Sequence, residues 1–195
     1  QTDVLYGCLR GTLPPMGLDL TFKPQKFREL VLFVAAESET DPHFGATKLN
    51  KILYFSDFHA FGLLGTAITG ATYVRMERGP VPREMLPALR EMEAEGAIER
   101  EERRYFHLLQ KRVVARQDAD LSVFSEGELE IVRNVLAELR HMNASQVSAL
   151  SHLDAGWQRT PPDGVISYGM VYISNRRPTA REIDEQRRFL ANQPV

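Results

Sequence analysis

From Thr47 onward the chain sets apolar residues on nearly every side of a helical wheel turned ~100° per residue. Leu49, Ile52, Leu53, Ala60 and Leu63 share one side, Tyr54, Phe58 and Phe61 take much of the other, and Phe55 fills the gap between them. A globular chain of this size buries such a helix centrally and packs other elements on several of its faces. Thr47 is the expected N-cap, and the helix is expected to end near Gly62 or Gly65.

The flanking patterns predict the remaining elements. Residues 23–39 read as a helix with Pro24 in its first turn and Phe27, Leu30, Val31 and Val34 as its buried stripe, stopped by Asp41-Pro42. Ala71 to Met76 reads as a short strand, and Gly79 to Pro82 as a turn opening a helix over 82–95, with a kink or late start at Pro87. After Gly96, residues 97–101 and 104–110 predict two strands around a charged turn, with Ile98 facing the core and Phe106 and Leu108 on one side of the second strand. Ser125 and Glu128 form a capping-box pattern before a helix with the stripe Leu129, Val132, Val135, Leu136 and Leu139. Asn143 is expected to end it and Ser145 to cap a second, short helix leading to Trp157. Residues 165–173 read as extended, and Thr179 with Glu182 marks a final, largely polar helix.

These elements predict a mainly α (α+β) fold: a helical bundle around a buried central helix, with a small β-ribbon resembling a winged-helix wing. Residues 1–21, with three glycines and two adjacent prolines, read as an irregular arm, residues 22–175 as the domain, and 176–195 as a C-terminal helix or tail.

A helix followed by a glycine and a two-stranded ribbon raises DNA binding as a reading. Charge weighs against it, because the helix before the ribbon carries Arg83 and Arg90 against Glu84, Glu91, Glu93 and Glu95 and would repel a duplex. The ribbon is more basic, with Arg100, Arg103, Arg104, Lys111, Arg112 and Arg116. It reads either as a wing touching phosphates or as a hairpin edge protected by its charges, and the second is the plainer reading.

Bulk properties narrow the classes further. A formal charge of −2 over 195 residues gives no general pull toward nucleic acid or membrane. The single cysteine, Cys8, allows no internal disulfide and fits a reducing, cytoplasmic setting. No apolar run approaches a membrane span, and the first residues lack the basic-then-apolar pattern of a secretory signal.

Candidate chemistry is sparse. His43, His59, His107, His141 and His152 show no metal-ligand spacing, and no phosphate-binding glycine loop is present. Ser151, His152 and Asp154 supply triad letters, but neighbours on one helix cannot align as nucleophile, base and orienter. No catalytic residue, metal or cofactor is expected. Asn50 and Asp57 share a narrow polar side of the central helix and must find partners there, whereas Lys48 and Lys51 are expected to reach water; a partner surface is the sharper and less favoured reading for each of the four.

Three stretches in order carry a family resemblance. Lys48-Leu49-Asn50-Lys51-Ile52-Leu53-Tyr54-Phe55 resembles the K-L-x-K-L-L-Y-[FY] signature of the SocA-like antitoxin family, the Panacea domain. Gly79-Pro80-Val81 stands where that family has G-P-V before a helix, and Leu150-Ser151-His152 through Trp157 resembles its closing mark. The resemblance covers about residues 23–160. The arm is too short for the N-terminal DNA-binding segments of many such proteins, and the tail is longer than the core pattern requires.

The resemblance implies a non-enzymatic, cytoplasmic antitoxin that neutralises a cognate protein toxin encoded next to it, with a proteolytic adaptor or a DNA-binding regulator as alternatives. The signature residues Lys48, Leu49, Tyr54, Gly79, Pro80, Val81, His152 and Trp157 are expected to be structural for the most part. Trp157 is expected to cap the core with its indole N–H on a backbone carbonyl, His152 to bond within the fold, and Gly79 to take a positive φ. No residue is assigned to toxin contact.

Overall fold

The computed structural model describes residues 20–105 and 108–173, and the other elements are laid around the apolar helix. Helix α1 spans Pro24–Glu37 and buries Phe27, Leu30, Val31 and Val34 as its pattern predicts. Helix α2 spans Ala46–Leu64, and from Leu49 to Phe61 almost every side chain is buried. Gly45, not Thr47, is its N-cap, and no side chain caps it; the ribbon residue Gln110 packs against Gly45 there. Gly65 closes the helix in the left-handed conformation. Leu63 is 58% exposed, because the last turn runs past the elements that cover the rest of the helix.

Strand β1, Tyr73–Met76, pairs antiparallel with β2, Gly79–Pro82, from Tyr73 opposite Pro82 to Met76 opposite Gly79. The stretch expected to be a turn is therefore a strand, and the turn lies at 77–78. Two prolines without N–H donors read locally as a turn, yet they suit an edge strand. On its other side β1 meets the segment around Val165, which bridges Val74 while Arg75 donates its N–H to Gly164 O at 2.9 Å. Helix α3, Met85–Ala94, starts late and holds Pro87 in its first turn, where no intrahelical donor is lost.

Strands β3, Ile98–Tyr105, and β4, Leu108–Ala115, form an antiparallel ribbon longer than expected. Ile98 is buried; Phe106, and the side chain of Leu108, lie outside the described residues. Arg112 is not a surface cation of a wing. It is 4% exposed, and its guanidinium donates to the carbonyls of Ser38 and Asp41 at 2.8 Å and to that of Glu39. It thus ties the ribbon to the chain that leaves α1.

Helix α4, Glu126–Leu139, carries the predicted capping box of Ser125 and Glu128. Glu128 also receives Lys26 of α1 at 2.7 Å. Asn143 does not end this helix; it caps helix α5, Ala144–His152, through a capping box with Gln146, which places Ser145 inside. Helix α6, Ala155–Arg159, follows after Asp154. Only the start of 165–173 is extended: Tyr168–Tyr172 forms a 3-10 turn, and Tyr168 stacks on Phe58 at 4.6 Å. The fold is thus mainly helical α+β. The expected arm through residue 19, Cys8 within it, and the helix expected from Thr179 lie outside the described residues.

Candidate functional site

Stretches far apart in the chain meet on one side of α2. β2 crosses Lys51, whose ammonium donates to Pro80 O at 2.9 Å. Gly79, at φ 98°, fills a slot in which a Cβ would stand 2.4 Å from Lys51 Cε and 2.3 Å from Ser151 Oγ. Only glycine both adopts that backbone and leaves that space. α5 closes the slot with Ser151, whose hydroxyl donates to Ser148 O at 2.8 Å. The next residue, His152, stacks its ring on Trp157 at 3.9 Å and 18°. The indole N–H donates to Met76 O at 3.1 Å, and the Arg75 guanidinium lies 4.0 Å over the same indole. Tyr54 reaches from α2 to Asp154 Oδ1 at 2.7 Å, and that oxygen also accepts the Gly156 N–H at 2.7 Å.

Lys51 is therefore not a cation reaching water. It is 1% exposed, and burial pushes its pKa from 10.5 down to about 7. Lys48 is buried as well, but on another side: it pairs with Asp41 Oδ2 at 2.6 Å and donates to Arg140 O and Met142 O, both at 2.9 Å. Two lysines three residues apart thus reach opposite solutions, one with a carboxylate and one without.

Burial lowers the pKa of His152, and the positive charges of Lys51 and Arg75 push it the same way, against a backbone hydrogen bond at Glu77. Its Nε2 is buried with no hydrogen-bond partner among the described residues. Burial raises Asp154, opposed by the Tyr54 hydroxyl and the N–H groups of Gly156 and Trp157.

Of the signature residues, Tyr54, Gly79, Pro80, His152 and Trp157 come together here. Leu49 is core, Val81 is half-buried on β2, and Lys48 is elsewhere. Trp157 makes the expected bond to a carbonyl but is half-buried at the surface rather than capping the core. Arg75 was not expected at all; only its place on a short strand, two residues from buried Tyr73, hinted that it faces inward.

The chemistry of the cluster is positional. Ser151 bonds Ser148, His152 stacks on Trp157 and Asp154 bonds Tyr54, so the three triad letters face three different partners. Among the described residues no group of three or more acidic, histidine or cysteine side chains could hold a metal. Asp57 finds its partners in the core, accepting the Thr69 N–H at 2.7 Å, the Tyr73 hydroxyl at 2.8 Å and the Thr69 hydroxyl. Asn50 Oδ1 finds none among the described residues. On the ribbon, Arg100, Arg103 and Arg116 pair with Glu93, Glu101 and Glu99, which spends much of its positive charge internally.

Residues 49–158, more than half of the chain, match the family model for the SocA-like antitoxin, Panacea domain. The chain belongs to that family. No curated protein and no solved structure matches it. The boundaries of the Panacea match run from the second residue of the α2 signature to just past Trp157, and so enclose the whole cluster around Lys51. None of the described helices is long and apolar enough to cross a membrane.

Proposed function

We propose that this Panacea-domain protein is the neutralising half of a toxin–antitoxin pair and acts without catalysis, by binding a protein toxin encoded beside it. The observation that carries this reading is the family match over residues 49–158. The architecture is compatible with it. The signature residues lock α2, the β1–β2 hairpin and the α5–α6 junction into one rigid body, and a rigid body binds without a large ordering cost. Neutralisation then follows mass action: with free antitoxin well above the dissociation constant, nearly all the toxin stays bound and inactive. A stable complex needs about 800 Å² from each partner, a small part of the 12,078 Å² surface of this chain.

The test is co-expression of the chain with the protein encoded by the neighbouring gene, followed by co-purification. Growth rescue together with a stoichiometric complex is the expected result. Toxicity that persists with no complex overturns the reading. Rescue with a shortened toxin half-life that depends on a cellular protease assigns the chain to delivery instead of occlusion.

A further inference from the structure

One apolar side of helix α2 runs on past its cover. Leu49, Ile52, Leu53 and Ala60 on that side are at most 1% exposed. Leu63 continues it, standing eleven residues after Ile52 and so about 20° from it on the wheel. Leu63 is nevertheless 58% exposed, and Leu64 next to it is 46% exposed. Leu64 borders the start of α4, where a Cβ added to Gly127 would stand 3.9 Å from its Cδ2. A stripe that is sealed from Leu49 to Ala60 thus ends in two open leucines.

The described residues end at the same place. Tyr172 donates its hydroxyl to Phe61 O at 3.3 Å, and the two rings lie 6.0 Å apart. Phe61 O also accepts the Gly65 N–H at 3.0 Å, so Tyr172 is tied to the turn of α2 that carries Leu63 and Leu64. Ile173 follows directly, and residues 174–195 come after it in the sequence. There Thr179 and Glu182 form the capping-box pattern, and Ile183 and Leu190, seven apart, share one face of a helix over 179–191. A helix that short is marginal alone in water and needs an apolar surface to pack on. The link from Ile173 to Thr179, residues 174–178, spans up to about 17 Å, and so short a link closes at small entropic cost.

We propose that residues 179–191 form a helix that seats Ile183 and Leu190 on Leu63 and Leu64 and so closes the open end of α2. The contact lies within one chain and goes beyond the toxin-binding reading. Its test uses no toxin, so the failure of either leaves the other standing.

The experiment is hydrogen exchange on the full chain, read by mass spectrometry in peptides from residues 1–19 and 179–191. It compares the wild type with Leu63→Glu, Leu190→Glu and, as a control on an exposed leucine of α3, Leu86→Glu. Leu63 and Leu86 are 58% and 60% exposed, so both substitutions keep the fold, and the urea midpoint verifies it. Leu190→Glu leaves the body untouched, and glutamate favours a helix as leucine does, so its effect reports on packing. In the wild type the amides of 183–190 are expected to exchange about tenfold or more slowly than free chain. Leu63→Glu and Leu190→Glu are each expected to abolish that protection, and Leu86→Glu to keep it.

Free-chain exchange over 183–190 in the wild type overturns the docked helix. Protection that survives Leu63→Glu, or that Leu86→Glu removes equally, overturns the seat on α2. Faster exchange confined to residues 1–19 in Leu63→Glu assigns the two leucines to the N-terminal arm and overturns the C-terminal segment as occupant. Protection that falls on dilution, together with a dimer in light scattering, assigns the contact to a second copy of this chain and overturns docking within one chain.

Discussion

Replacing Lys51 by methionine tests the electrostatic account of the cluster. Lys51 is 1% exposed, bonds one carbonyl and makes no ion pair among the described residues. Burial lowers its pKa from 10.5 to about 7. That difference of 3.5 (10.5 minus 7), at about 1.36 kcal/mol for each, amounts to about 5 kcal/mol. The sign follows from proton binding. Between pH 7 and 10.5 the unfolded chain holds a proton on Lys51 that the native chain does not, so stability rises with pH, by about 1.4 kcal/mol per unit. The penalty is full below pH 7 and gone above pH 10.5. Methionine keeps the unbranched apolar stem but is one atom shorter, removes the amine and leaves Pro80 O unpaired, at a cost of ~1–3 kcal/mol. Lys51→Met is therefore expected to be more stable than the wild type at pH 7 by about 2–4 kcal/mol, and to lose the upward slope. The assay is urea unfolding of both proteins at pH 7, 8 and 9. This window stays above the titration of His152, whose pKa is lowered, and below that of Tyr73 and Tyr168, which burial raises. Parallel stability curves for the two proteins would refute the reasoning, because they would mean that Lys51 keeps its charge in the native state.

Three further substitutions probe other parts of the scaffold. Gly79→Ala forces a Cβ at φ 98° into contact with Lys51 and Ser151 and is expected to cost more than about 2 kcal/mol in chemical denaturation; a wild-type midpoint would show that the hairpin is not seated on Lys51. Arg112→Met strips the carbonyls of Ser38, Glu39 and Asp41 of their donor. A loss of about 2–4 kcal/mol, with faster hydrogen exchange in β4 than in α4, is the expected outcome. Asp57→Ala leaves the Thr69 N–H and the Tyr73 hydroxyl buried without an acceptor, and a drop of about 3 kcal/mol or more is expected, read by the shift of the urea midpoint at unchanged slope.

Local patterns were legible where one residue type answers to one local demand. The α1 stripe, the Ser125–Glu128 box and the positive φ of Gly79 all appear as expected. So does the bond of the Trp157 indole to a carbonyl. The misreadings share a different cause. Asn143 and Ser145 are both good caps, and the choice depends on where α4 stops against the body. Gly79 to Pro82 becomes a strand because β1 is there to pair with it. Lys48, Lys51 and Arg112 look like surface cations in the sequence, and no neighbour along the chain says that their heads lie in the core. Their partners are Asp41, 7 residues away, and carbonyls 29 to 94 positions distant.

What the sequence determined by itself is the apolar wheel of α2 and, through its ordered motifs, the family. The burial of a helix that is apolar all round depends on its own residues alone, since no surface position would accept it. What only the tertiary structure decided is how the signature residues are divided. Lys48 is matched with a carboxylate, whereas Lys51 is sealed beneath Gly79 and Pro80 without one, beside the stack of His152 and Arg75 on Trp157. The reason is physical: whether a charge is tolerated depends on which groups the folded chain brings within a few ångströms of it, and those groups come from the loop before α2, the chain after α4, and from β2, which only folding brings together.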